Sequence, residues 1–332
     1  MVLGKIMEKI ADRQAQKAGI AFGESWSDPD LAAALPAVRA GDIDKGLELL
    51  RTAPTPDLRS LRLDTFAGEC THLLEALELR KGDDDPALLL WAGAARVQAA
   101  WKIRTAARAR DVGAERFRRF HAFLEPAAEP LLRAAGLDDE DPDPWNILQW
   151  YCMGMGIRRE DSDKMWLQLC ARDSWHWAGR VTRLQVLCEK WYGSHEEMFA
   201  FARETAALAS PGDPCLTLLP QAHREYVLLL LDGAETVGDI GRRVRAHFSG
   251  PGVAAELAEA ADRWEKGDGS HPEHRAQAHE FGAALYYAGE RERAARILAP
   301  AGRLVSRVSL WSYAENWPLE GLRRALRDLG LL

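Results

Sequence analysis

Lys190-Trp191-Tyr192-Gly193-Ser194-His195-Glu196-Glu197-Met198-Phe199-Ala200-Phe201-Ala202-Arg203 reads as the corner of a helical hairpin. One amphipathic helix runs into Trp191, Gly193 breaks it, and Ser194 starts the next. Ser194 and Glu197 have the S-x-x-E spacing of a capping box, in which each side chain bonds the other residue's backbone N–H. The stretch decides the fold because corners of the same kind recur along the chain. A single such hairpin cannot bury its apolar stripe, so the units are expected to stack into a helical array.

The helix before the corner shows the packing logic. Trp177, Val181, Leu184, Cys188 and Trp191 recur at helical steps and form one apolar stripe, with Arg180, Arg183 and Glu189 largely off it. The helix after it carries Met198, Phe199, Phe201, Ala202 and Ala206, large near the corner and small further on.

Punctuation elsewhere is regular. Asp-Pro pairs at Asp28-Pro29, Asp85-Pro86, Asp141-Pro142, Asp143-Pro144 and Asp213-Pro214 read as helix starts. Gly41, Gly193, Gly233 and Gly289 read as stops in the left-handed conformation. Between these marks the expected helices cover 30–40, 43–52, 57–80, 86–109, 114–135, 144–157, 163–172, 174–191, 195–209, 215–231, 236–247, 252–266, 273–288 and 291–302, with no convincing strand alternation. The run from His279 to Leu298, turning at Gly289, has the pattern of a tetratricopeptide hairpin, and Leu31 to Leu50 is a shorter candidate. The organisation expected is an amphipathic helix and linker over 1–27 and a continuous helical-repeat domain over 28–332, with a soft joint near 267–271. Residues 1–20, with Leu3, Ile6, Met7 and Ile10 on one side, read as a helix that caps the array.

Bulk properties narrow the function. A net charge of −7 gives no global reason for binding nucleic acid or an anionic membrane. The N-terminus mixes charge into its apolar residues, so no signal peptide is expected. An apolar run such as Val227 to Leu231 is far short of the ~20 residues that span a bilayer. Five cysteines without a C-x-x-C pair suit reduced thiols, and the compartment expected is the cytoplasm.

Signatures for phosphate loops, dinucleotide folds, zincins and nucleophile elbows are missing. His271, His274 and His279 with Glu273 and Glu280 are the densest group of ligating residue types. His274 and His279 would nevertheless lie about 140° apart on a helix and share no face. Cys152, Cys170 and Cys188 read as core thiols, and His195 with Glu196 as a helix first turn. No metal and no cofactor are expected. Lys102 to Arg119 holds seven basic residues against two acidic ones, followed by the acidic run Asp138 to Asp143. A solvated face is the simple account, and an anion or acidic-peptide site the functional one. Trp145, Trp150, Trp166, Trp175, Trp177 and Trp191 crowd one region, more than simple repeat packing requires.

Phe117-Arg118-Arg119-Phe120-His121, Asp143-Pro144-Trp145 and above all Leu187-Cys188-Glu189-Lys190-Trp191 through Arg203 carry a resemblance to an uncharacterised bacterial family of actinobacterial type, made of tetratricopeptide-like helical repeats and known only as a domain of unknown function. It covers residues 30–300 loosely and 140–205 more firmly. The resemblance implies a tetratricopeptide-like solenoid. It brings no established activity, so no functional residue carries over.

The expectation is therefore an all-α, irregular tetratricopeptide-like α-solenoid acting as a protein- or peptide-interaction module. Arg104, Arg108, Trp145, Gln149, Arg180 and Arg183 are its candidate groove residues. The partner expected is a protein or peptide, not nucleic acid and not a membrane. The alternative is an enzyme or small-molecule binder with a pocket inside the stack, for which His176 and His195 are candidates. A third reading pairs the chain with a second copy.

Overall fold

The computed structural model describes residues 11–80, 82, 84–105, 113–231, 236–315 and 317–332. Among them the fold is all-α, with eighteen α-helices besides the helical stretch 11–17, and one pair of two-residue strands. The chain forms two compact units, Asp28–Gly193 and a second made of residues up to Ser27 together with Ser194–Leu332.

The Asp28–Gly193 unit contains α1 (Pro29–Arg39), α2 (Ile43–Arg51), α3 (Pro56–Glu69), α4 (Leu74–Arg80), α5 (Pro86–Arg104), α6 (Ala114–Leu124), α7 (Ala128–Leu137), α8 (Asp143–Met155), α9 (Arg159–Arg172) and α10 (Trp177–Val186). Helix α5 is its axis. Its first half, Ala87 through Ala95, is buried on every side, which is how a helix apolar around its whole circumference satisfies itself. Helices α2, α3, α4, α6, α7 and α8 all pack against it.

The second unit contains β1 (Ala21–Phe22), α11 (His195–Leu208), α12 (Leu218–Leu231), α13 (Val237–Phe248), α14 (Pro251–Trp264), α15 (His274–Ala288), α16 (Arg291–Ala301), β2 (Leu304–Val305), α17 (Leu310–Ala314) and α18 (Pro318–Asp328). Its axis is α15, which packs against α12, α13, α14, α16 and α17. Strands β1 and β2 pair in parallel, Ala21 opposite Leu304 and Phe22 opposite Val305.

Most expected starts and stops occur. Asp28 Oδ1 accepts the N–H groups of Asp30 and Leu31 at 3.1 and 3.2 Å, Asp85 that of Ala87 at 3.1 Å, and Asp213 that of Cys215 at 2.8 Å. Gly41 and Gly289 end their helices at φ 111° and 85°. Gly233 and the apolar residues Leu3 to Ile10 lie outside the described residues, while 11–17 are helical.

Several boundaries differ, each for a local reason. The helix expected over 57–80 stops at Glu69, and a 3₁₀ turn at Thr71–Leu73 precedes α4. The one expected over 114–135 is interrupted at Glu125–Ala127 by Pro126, which has no N–H to continue the ladder. Helix α10 ends at Val186, so Cys188 and Trp191 lie beyond it on a turn, not on its stripe. Gly193 is not left-handed. It is required instead because a Cβ there would sit 2.1 Å from the Leu187 carbonyl oxygen. Ser194 does cap α11, its Oγ accepting the Glu197 N–H at 3.2 Å. Among the described residues no helix is long and apolar enough to cross a membrane.

Candidate functional site

Helices α8, α9 and α10 of the Asp28–Gly193 unit gather tryptophan and arginine into two stacks. The Arg172 guanidinium lies 4.9 Å from the Trp145 ring centre. That of Arg180 lies 4.0 Å from Trp175 and 5.9 Å from Trp166, and that of Arg183 5.7 Å from Trp166. Such cation–π contacts fix the planes of both partners. The Ser174 carbonyl holds Arg180 further, accepting from Nε at 3.2 Å and Nη2 at 2.7 Å. Trp145, Trp166 and Trp175 are only half-buried, and Leu167 on α9 is 64% exposed. This layer is therefore rigid and partly open to solvent.

Arg183 anchors it from below. It is buried, and its Nη1 donates to Asp163 Oδ1 at 2.7 Å, an acid that Arg159 Nε also reaches at 2.9 Å. Burial pushes the Arg183 guanidinium down from its ordinary range, against the pull of Asp163.

The other candidates are placed differently. Arg104, at the end of α5, is enclosed by Trp101, Phe117 and Trp191, with ring centres at 5.3, 5.9 and 5.1 Å. Burial pushes its guanidinium down as well. Gln149 on α8 is fully enclosed, and neither polar atom of its side chain has a partner among the described residues. Arg108 lies outside the described residues. The structure thus puts Trp145 with Arg172 in one stack, Arg180 and Arg183 with Trp166 and Trp175 in the other, and Arg104 in a separate aromatic cage.

A second cluster has the composition of a catalytic triad but not its proton arrangement. Ser60 Oγ on α3 is 3.0 Å from His176 Nε2 and donates to Asp143 Oδ1 at 2.6 Å. His176 Nδ1 accepts the Gly179 N–H at 3.1 Å, so it carries no proton and the ring's hydrogen is on Nε2. The imidazole therefore donates to Ser60 and has no lone pair with which to activate it. Arg59 completes the knot, its Nη1 donating to Asp143 Oδ2 at 2.9 Å and to Asp141 Oδ1 at 2.5 Å. Burial and the neighbouring Asp143 push Asp141 up despite Arg59. The acidic run before α8 is in this part a buried helix anchor, which composition could not reveal without Arg59 and Ser60.

The second unit holds a polar chain that sequence inspection missed. Arg203 on α11 forks onto Glu256 on α14, with Nε–Oε2 2.8 Å and Nη2–Oε1 3.0 Å. Glu256 Oε1 is 2.9 Å from His223 Nε2 on α12, and His223 Nδ1 is 2.9 Å from His247 Nε2 on α13. Burial alone would raise Glu256, but His223 and Arg203 overcome it and hold the carboxyl down at about 2. Four helices contribute one group each at unrelated spacings, so no local motif announces the chain.

No group of three or more metal-ligating side chains converges among the described residues. An open depression of about 450 Å³ between α14 and the α15–α16 turn is lined by Asp262, Gly289, Glu290, Arg291, Glu292, Arg293 and Arg296. Arg293 spends its charge there on Asp262 and Glu290. No family model matches the chain, and no curated protein or solved structure matches it.

Proposed function

We propose that this chain is an interaction module of the cytoplasm, an irregular tetratricopeptide-like stack of hairpins that captures a protein or peptide segment on the Trp/Arg layer of α8–α10. The observation that supports this is the half-buried set Trp145, Trp166 and Trp175, held rigid by Arg172 and Arg180 beside exposed Leu167. Tryptophan and arginine in a fixed, partly desolvated arrangement are the residue types that dominate binding energy at protein interfaces. Rigidity matters because side chains already ordered lose little entropy on binding. The fit to stacked hairpins rests on the close pairs α8–α9 and α15–α16, and the cytoplasm on five cysteines that are all free.

The clusters of ionisable groups support the enzyme reading less well. Ser60, His176 and Asp143 satisfy one another in an arrangement that cannot activate the hydroxyl. The test is affinity capture with the full chain and with Trp175→Ala/Arg180→Glu, matched for helicity. Partners lost with the double substitution and kept by Lys164→Glu, on the exposed side of α9, support the layer as the binding face. Retention of every partner by the double variant removes it.

A further inference from the structure

We propose that the His223–His247 contact is an acid-sensitive latch, which holds α12 to α13 until both imidazoles carry a second proton and then releases. Two ring nitrogens 2.9 Å apart leave room for one hydrogen between them. The Glu256 carboxylate, fixed by Arg203, faces His223 Nε2 at 2.9 Å and keeps a hydrogen on that nitrogen. In the neutral pair, His223 Nδ1 therefore accepts from His247 Nε2–H. One added proton leaves a lone pair in the gap whichever ring takes it. Two added protons set N–H against N–H, and no hydrogen bond remains.

The surroundings make that state costly. His223 is 1% exposed, so water cannot replace the lost partner. Phe199 of α11 lies 4.9 Å and Phe248 of α13 5.8 Å from the His223 ring, and Tyr226 of α12 lies 4.9 Å from His247. Among the described residues, the charged and titratable groups next to the pair are Glu256 from α14, with Arg203 of α11 bound to it, and Tyr226 from α12, behind which His195 of α11 lies at 5.0 Å. From α15, Tyr287 reaches Phe248 at 5.9 Å. Glu256 is the one carboxylate in this set and already neutralises Arg203, so two imidazolium rings would leave two uncompensated positive charges. Burial, then His223, push His247 down to about 4, which puts the second protonation on the acid side of neutrality. Release uncovers the faces of Phe199, Tyr226 and Phe248 that the two rings now cover.

The test uses the full chain, with imidazole nitrogen NMR from pH 7 to pH 3 and amide exchange read helix by helix. The expected result is that exchange in α13, corrected for intrinsic rates and taken relative to α15, which carries the general acid weakening through His279, rises at least about tenfold as the second ring protonates. His247→Gln keeps an N–H for His223 Nδ1 but does not titrate, and should abolish the rise. Equal opening of α13 in His247→Gln overturns the latch. So does an α13 that stays protected in the native chain after both rings are protonated, a readout that decides the matter even where the variant does not fold.

Discussion

Gly193 lies against the backbone of Leu187 so closely that a Cβ would be 2.1 Å from its carbonyl oxygen and 2.6 Å from its carbonyl carbon. Both atoms belong to the turn that ends α10, so neither can rotate away as a side chain would. Gly193→Ala should therefore destabilise the protein by about 1–3 kcal/mol, measured by urea denaturation. Gly136→Ala, in α7 with open space around it, is the control and should be neutral or stabilising by up to about 1 kcal/mol. Equal midpoints for the two variants would show that the turn yields freely.

Ser60 is a bridge between a donor and an acceptor. Removing its hydroxyl leaves His176 Nε2–H and Asp143 Oδ1 without it in a buried site, so Ser60→Ala should cost about 1–3 kcal/mol. The loss should appear in unfolding free energy and not as the loss of any hydrolytic turnover.

Asp163 and Arg183 are unequal partners, because Arg183 is buried and Asp163 is 35% exposed and has Arg159 as a second partner. Asp163→Asn strands a buried guanidinium, whereas Arg183→Leu leaves an acid that Arg159 and water still satisfy. The first substitution should destabilise more than the second, a ranking that paired denaturation curves check directly.

Acid should weaken the second unit through His279, which burial pushes down to about 4 from the usual 6.5. The unfolded chain then takes up the proton first. Stability is complete above pH 6.5, falls as pH drops toward about 4, and levels off below that, with a total loss of about 3 kcal/mol. His279→Phe should flatten this part of the pH profile, read from denaturant midpoints between pH 7 and pH 4.

Local features were the legible ones. The Ser194 cap, the Asp28, Asp85 and Asp213 caps and the Gly41 and Gly289 stops depend on contacts a few residues apart, which spacing exposes. That Trp145, Arg180 and Arg183 lie on neighbouring helices was also readable, since short loops keep α8, α9 and α10 adjacent. The partners Arg172, Trp166 and Trp175 follow from the same proximity. Arg203, His223, His247 and Glu256 were not readable, because their order in space depends on how four helices pack.

By itself, then, the amino-acid sequence determined the all-α class and most helix ends, because propensity, capping and periodicity act over one or two turns. The tertiary structure alone decided that Trp191 leaves the helix to cage Arg104, and that Gly193 serves a close backbone approach and not a left-handed stop. It also decided which buried acids meet which bases. Those outcomes depend on volume and distance between segments far apart in the chain, which no local pattern encodes.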